Sequence, residues 1–194
     1  MLANSQRHWG SLAKFFHWLI VAMVLVQVPA GYLMSYTYGL AVHDGAVQPL
    51  QTLMSQIHHT LGLLILLLLP PRLAWRLSGP VPGFDAQKPA YRHILARLTH
   101  ALFYVLMLVL PLSGWAAVSV VAAAPIWLFG AQVPRILPPM KPESPFGYTL
   151  YAHVHIYAAW LGGVLVLVHL GAAFWHHVVR KDDIFRRMWP LAKS

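Results

Sequence analysis

Residues 151–179 read YAHVHIYAAWLGGVLVLVHLGAAFWHHVV, and two of their histidines, His155 and His169, stand fourteen positions apart in an apolar run. Fourteen residues is close to four helical turns, so both imidazoles fall on one face of a helix, about 21 Å apart along its axis. That rise is about two-thirds of the hydrocarbon thickness of a bilayer, which sets one imidazole near each membrane surface. Ionisable side chains are costly at such depths and mark function more often than packing.

The rest of the chain agrees with a membrane setting. Of its 194 residues, 58% are hydrophobic and 10% charged, against about 25% charged in a soluble domain. Four stretches reach the length needed to span, roughly Phe15–Met34, Ile57–Leu77, Leu98–Val121 and Tyr151–Val179. With no internal repeat, residues 1–194 read as a single all-α membrane domain, a four-helix bundle. Pro70-Pro71 is expected to end or kink the second helix, whereas Pro111 is tolerable where neighbouring helices satisfy the freed carbonyl. Residues 35–56, with Gly39, Gly45 and Pro49, read as a polar, turn-rich connection, and residues 78–89, rich in Gly and Pro, as a loop. Residues 124–130, with Trp127, read as a short interfacial segment ahead of a proline-rich stretch.

Charge sets the topology. Arg7 and Lys14 precede the first span, Arg72, Arg76, Lys88, Arg92 and Arg97 surround the second connection, and Arg180, Lys181, Arg186, Arg187 and Lys193 follow the fourth span. The opposite side has Arg135 and Lys141, balanced by Asp44 and Glu143. The positive-inside rule then places both termini in the cytoplasm. The net charge of +9 is better matched to anionic lipid headgroups than to nucleic acid. The first span could also be a cleaved signal peptide, but its apolar run is long for one and cleavage would remove His17.

There is no cysteine, which excludes disulfides, thiolate ligands, iron–sulfur clusters and covalent haem attachment. Histidines pair by depth instead. His17 lies just inside the first span and meets the level of His169, while His58 or His59, at the outer start of the second span, meets the level of His155. Two pairs at two levels, sharing the fourth helix, are what a bundle with two haems stacked across a bilayer requires. Zinc is a poorer fit, because two histidines per level with few carboxylates do not make tetrahedral sites. His153 is out of phase with His169, and His8, His43 and His93 lie outside the spans.

These residues resemble the bacterial cytochrome b561 family of small four-helix membrane proteins. The likeness runs through Phe16-His17-Trp18, Ile57-His58 with Gly62, His100, Leu110-Pro111-Leu112-Ser113-Gly114, and then His155, Gly162, His169, His176-His177 and Lys181-Asp182. The resemblance implies two haems b, held by His17 with His169 on the inner side and by His58, in preference to His59, with His155 on the outer side. Bis-histidine ligation leaves no open iron position, so such haems carry electrons and do not bind oxygen. Gly62, Gly114, Gly162 and Gly163 are candidates for close approach of helices or porphyrin. His176, seven residues after His169, is the candidate catalytic residue, able to hydrogen-bond a quinone carbonyl or a haem propionate, with Arg180 and Lys181 as counter-ions and His100 as a weaker candidate for the same pocket.

The resemblance implies transmembrane electron transfer between an outer-face donor, superoxide in some members, and ubiquinone. The alternative is an anchor subunit relaying electrons between quinone and a partner hydrogenase, dehydrogenase or periplasmic cytochrome at the outer face. A proton-relaying transporter or channel is disfavoured by the absence of Asp and Glu from all four spans.

Overall fold

The computed structural model describes residues 1–6, 8–44, 49–82, 90–122 and 124–190. Arg7, Gly45, Gly83, Lys88, Pro89 and Lys193, named above, lie outside the described residues. Four helices are long and apolar enough to cross a membrane: α1 Ser11–Asp44, α2 Pro49–Ser78, α3 Ala90–Ser119 and α4 Tyr148–Val178. A two-stranded hairpin, β1 Trp127–Leu128 and β2 Ala131–Gln132, lies between α3 and α4, and a short α5, Ile184–Met188, follows.

The helices outrun the apolar stretches. Residues 35–56, expected as a turn-rich connection, are mostly helical, because α1 continues to Asp44 and α2 begins at Pro49. Thr37 satisfies its hydroxyl by donating to the Leu33 carbonyl at 2.7 Å, and Gly39 costs the helix only about 1 kcal/mol. Pro49 occupies the first helical position, where a missing N–H is harmless. Pro70-Pro71 does not end α2, which runs on to Ser78. The two prolines remove the amides that would bond the Leu66 and Leu67 carbonyls, a loss that a membrane bundle accommodates. His43 and His93, expected outside the spans, fall on α1 and α3.

Residues 124–130, expected as a short interfacial segment, lead into and form the first part of the hairpin. Trp127 pairs with Gln132 and Leu128 with Ala131 across a two-residue turn. Both turn residues, Phe129 and Gly130, have positive φ (51° and 82°), the backbone that a tight antiparallel hairpin favours. Phe129 accepts the left-handed conformation at a cost of about 1–2 kcal/mol, offset in part by its N–H donating to Thr60 Oγ1 of α2 at 3.1 Å.

The chain divides into two compact units, each drawing on all four long helices. The first comprises Met1–Ile20, Leu68–Met107 and Ala159–Ser194, and the second Val21–Leu67 and Leu108–Ala158. In the second unit the core mixes larger side chains (Met23, Leu63, Ile65) with small ones (Ala30, Ala116, Ala117 and Ala158), so its helices can approach closely. In the first unit Trp160, Leu167 and Phe174 of α4 are mostly exposed, a surface suited to lipid and not to water.

Candidate functional site

In the second unit the imidazoles of His58 on α2 and His155 on α4 have ring centroids 6.0 Å apart. Each is oriented by a backbone carbonyl. His58 Nδ1 lies 3.2 Å from the Gln27 carbonyl and His155 Nδ1 2.8 Å from the Leu110 carbonyl. A carbonyl can only accept, so Nδ1 carries the proton in both rings and Nε2 keeps its lone pair. This is the arrangement that metal-binding histidines adopt, with the second nitrogen tied to an acceptor. Gln27 holds His58 a second way, its Nε2 donating to the His58 carbonyl at 3.0 Å. Ser113 Oγ lies 3.2 Å from His155 Nδ1 and donates to the Leu110 carbonyl at 3.0 Å.

Two glycines make room for these rings. A Cβ on Gly31 would stand 2.7 Å from His58 Cε1, and one on Gly114 would stand 3.1 Å from His155 Cε1 and Nδ1. Gly114 was a candidate for such closeness on sequence; Gly31 was not. Gly62 makes room for the Gln27 amide, 3.3 Å from where its Cβ would be, and a Cβ on Gly163 would meet nothing within 4 Å. His59 lacks the carbonyl tether of the other two rings. Its buried Nδ1 has no hydrogen-bond partner and its ring packs edge-on against His58 at 6.4 Å.

The first unit brings together His17 on α1 and His169 on α4 with ring centroids 6.3 Å apart. Among the described residues no hydrogen bond orients either ring. His100 on α3 lies 5.8 Å from His169, and Phe103 lies 5.5 Å from it, both edge-on. The sequence suggested His100 as a weaker candidate for a pocket with His176; the structure places it against His169, with its Nδ1 bonded to the Ala96 carbonyl at 2.6 Å. Arg72 donates to the Phe16 carbonyl at 3.0 Å, one residue before His17, and lies over the Tyr104 ring. On the other side of His17, Trp18 Nε1 donates to the Met188 carbonyl at 2.8 Å.

At the end of α4, His176 Nδ1 stands 2.7 Å from Asp182 Oδ2. Asp182 also accepts from the Ile184 N–H through Oδ1 at 3.2 Å, so one carboxylate joins the end of α4 to the start of α5. Beside it, His177, Val178, Lys181, Asp182 and Arg186 line a partly open pocket of about 340 Å³. The expected counter-ions Arg180 and Lys181 flank this segment, but the group bonded to His176 is Asp182.

Arg135 is committed to structure. Its guanidinium donates to the carbonyls of Val118, Ser119, Val121, Ala122 and Ala124, gathered where α3 ends and helical acceptors run out of partners; those of Val118 and Val121 also accept a backbone N–H. Its charge persists, but these donors are not free for an incoming anion.

The donor set fits haem iron. Two imidazole nitrogens on one metal, each at about 2 Å, hold their ring centroids about 6 Å apart, and both pairs meet that spacing. Among the described residues no three His, Asp or Glu side chains converge as a metal cluster would require. Gln27 and Gly31 are the site residues that sequence reasoning missed. Gln27 had a signal, being the only amide side chain in the first apolar run. Gly31 had none, because its importance lies in a contact with another helix.

Comparison with known proteins agrees. Residues 8–191 match the family described as Prokaryotic cytochrome b561. The chain is 29% identical over 192 residues to cytochrome b561 homolog 2 of Escherichia coli (strain K12), covering 98% of this chain and 95% of that protein. It is 28% identical over 180 residues to cytochrome b561 homolog 1 of the same organism, covering 92% and 95%. It is also 28% identical over 190 residues to the probable superoxide oxidase CybB of Yersinia pestis, covering 97% and 99%. The chain therefore belongs to the prokaryotic cytochrome b561 family, as a multi-pass membrane cytochrome that binds haem b.

Proposed function

We propose that this chain is a diheme cytochrome b of the bacterial inner membrane, with both termini cytoplasmic, that carries electrons from superoxide at the outer face to ubiquinone. The observation that carries the reading is the presence of two separate imidazole pairs at ligand spacing, 6.0 and 6.3 Å. The donor is suggested by the relative named a probable superoxide oxidase. In net terms two superoxide ions each give up one electron and leave as dioxygen. One quinone takes both electrons with two protons and becomes quinol.

His58 with His155, and His17 with His169, are the residues that would hold the two irons. Bound there, haem b would supply a reversible one-electron couple. The carbonyls of Gln27 and Leu110 keep His58 and His155 in the tautomer that presents Nε2. With Nδ1 engaged by Asp182, His176 has Nε2 left to donate to a quinone oxygen and hand it a proton. Arg180, Lys181, Arg186 and Arg187 suit the anionic headgroups of a cytoplasmic leaflet.

The test uses the detergent-purified chain with a short-chain ubiquinone and a steady source of superoxide. Two low-spin b haems per chain and superoxide-dependent quinol formation are expected. His176→Ala should retain both haems while quinol formation falls about 100-fold or more. Two haems with no superoxide-dependent turnover, and a large co-purifying redox subunit that restores quinone chemistry, would replace this reading with the anchor role.

A further inference from the structure

His169 stands at ligand spacing from two imidazoles, not one. His17 is 6.3 Å away and His100 is 5.8 Å away, centroid to centroid. Both bracket the separation of about 6 Å that a shared metal imposes on a pair of rings. From this juxtaposition we infer that His100 is a reserve ligand for the iron of the first-unit haem, able to hold it with His169 where His17 does not. The inference rests on the proposed ligation of that haem by His17 and His169.

Three features support His100 in this role. Its Nδ1–H is fixed on the Ala96 carbonyl at 2.6 Å, one helical turn back on α3, so Nε2 carries the free lone pair. That is the second-sphere bond that orients metal-binding histidines, and His58 and His155 have it while His17 and His169 do not. The hydrogen bond is internal to α3 and survives any movement of α1. His17, by contrast, sits on an element secured beside it through the Arg72 and Trp18 contacts to backbone carbonyls. Finally, among the described residues these histidines do not form a three-donor cluster about one metal position. His169 can therefore pair with either neighbour, but the three do not bind one iron together. Such an exchange would replace one iron–nitrogen bond by another between neutral imidazoles. No proton and no electron moves.

The experiment compares the full-length chain with His17→Ala, His17→Gln, His100→Ala and the double variant His17→Ala/His100→Ala. Haem per chain and the low-spin signals in electron paramagnetic resonance are read on monodisperse detergent preparations. The His58–His155 haem serves as an internal measure of folding. The expected result is that His17→Ala and His17→Gln keep two low-spin haems with one signal shifted. His100→Ala keeps both signals unchanged, and the double variant drops to one haem. His17→Ala and His17→Gln falling to one haem, or holding a second haem only in high-spin form, would overturn the inference. So would loss of a haem in His100→Ala alone, which would make His100 the resident ligand. A wild-type chain holding fewer than two haems would overturn the ligation reading and this inference together.

Discussion

The two imidazole pairs are alike in spacing and unlike in support. In the second unit both rings are tied through Nδ1 to carbonyls and both rest against a glycine. In the first unit neither His17 nor His169 is so tied, and a third imidazole stands beside them. The same ligand chemistry is thus built once as a preorganised socket and once as a looser cluster. Preorganisation lowers the entropy lost on binding, so the second-unit site should be the tighter and less adaptable of the two. Spacing between ligands fixes what can bind, while the bonds behind the ligands set how firmly.

The sharpest way to break that comparison is to delete one ligand. His155→Ala should abolish the second-unit haem and leave the first near full occupancy, read as haem per chain falling from two to one. If both haems survive, the pairing is wrong. Next comes the glycine socket. A methyl on Gly31 would press on His58 at 2.7 Å, and overpacking of about 1–3 kcal/mol corresponds to a roughly 5- to 150-fold loss of haem affinity. Gly31→Ala should therefore lose the second-unit haem preferentially during competitive transfer to an apo-protein acceptor.

Smaller effects sharpen the contrast. Arg135→Ala removes the guanidinium from five carbonyls at the end of α3, of which those of Val118 and Val121 keep a backbone N–H donor. It should destabilise the second unit by about 1–3 kcal/mol, seen as earlier bleaching of the His58–His155 haem on heating. The salt dependence of superoxide oxidation should change little if Arg135 is a cap and not a steering charge. Gln27→Leu removes one neutral hydrogen bond to the His58 carbonyl, worth about 1 kcal/mol. It should weaken the second-unit haem roughly fivefold. An equal loss at the first-unit haem would show that Gln27 acts through the whole bundle and not through His58.

His17, His155 and His169 were legible because helical periodicity and membrane depth are properties of one segment at a time; depth left His58 and His59 open, and the family resemblance chose His58. The ends of the helices were not. Hydropathy falls where polar residues begin, but backbone hydrogen bonding continues, and Thr37, Gly39 and Pro49 all sit within helices. Asp182 could be seen as part of a motif, yet its role beside His176 depends on the turn after α4. Arg135 looked like a free outer-face charge, since nothing local shows that the chain folds its guanidinium back onto the end of α3. Gly31 and Gln27 matter through contacts with α2, which no spacing along α1 reveals.

The bond from Trp18 to the Met188 carbonyl ties the segment after α4 to the neighbour of His17. Trp18 is the neighbour of His17, and its indole is also held edge-on by Trp189. Truncation before Met188, or an affinity tag that pulls this segment away, acts within one residue of His17, a proposed iron ligand. Such a change would first register as an altered spectrum, in a chain whose transmembrane helices are all still intact.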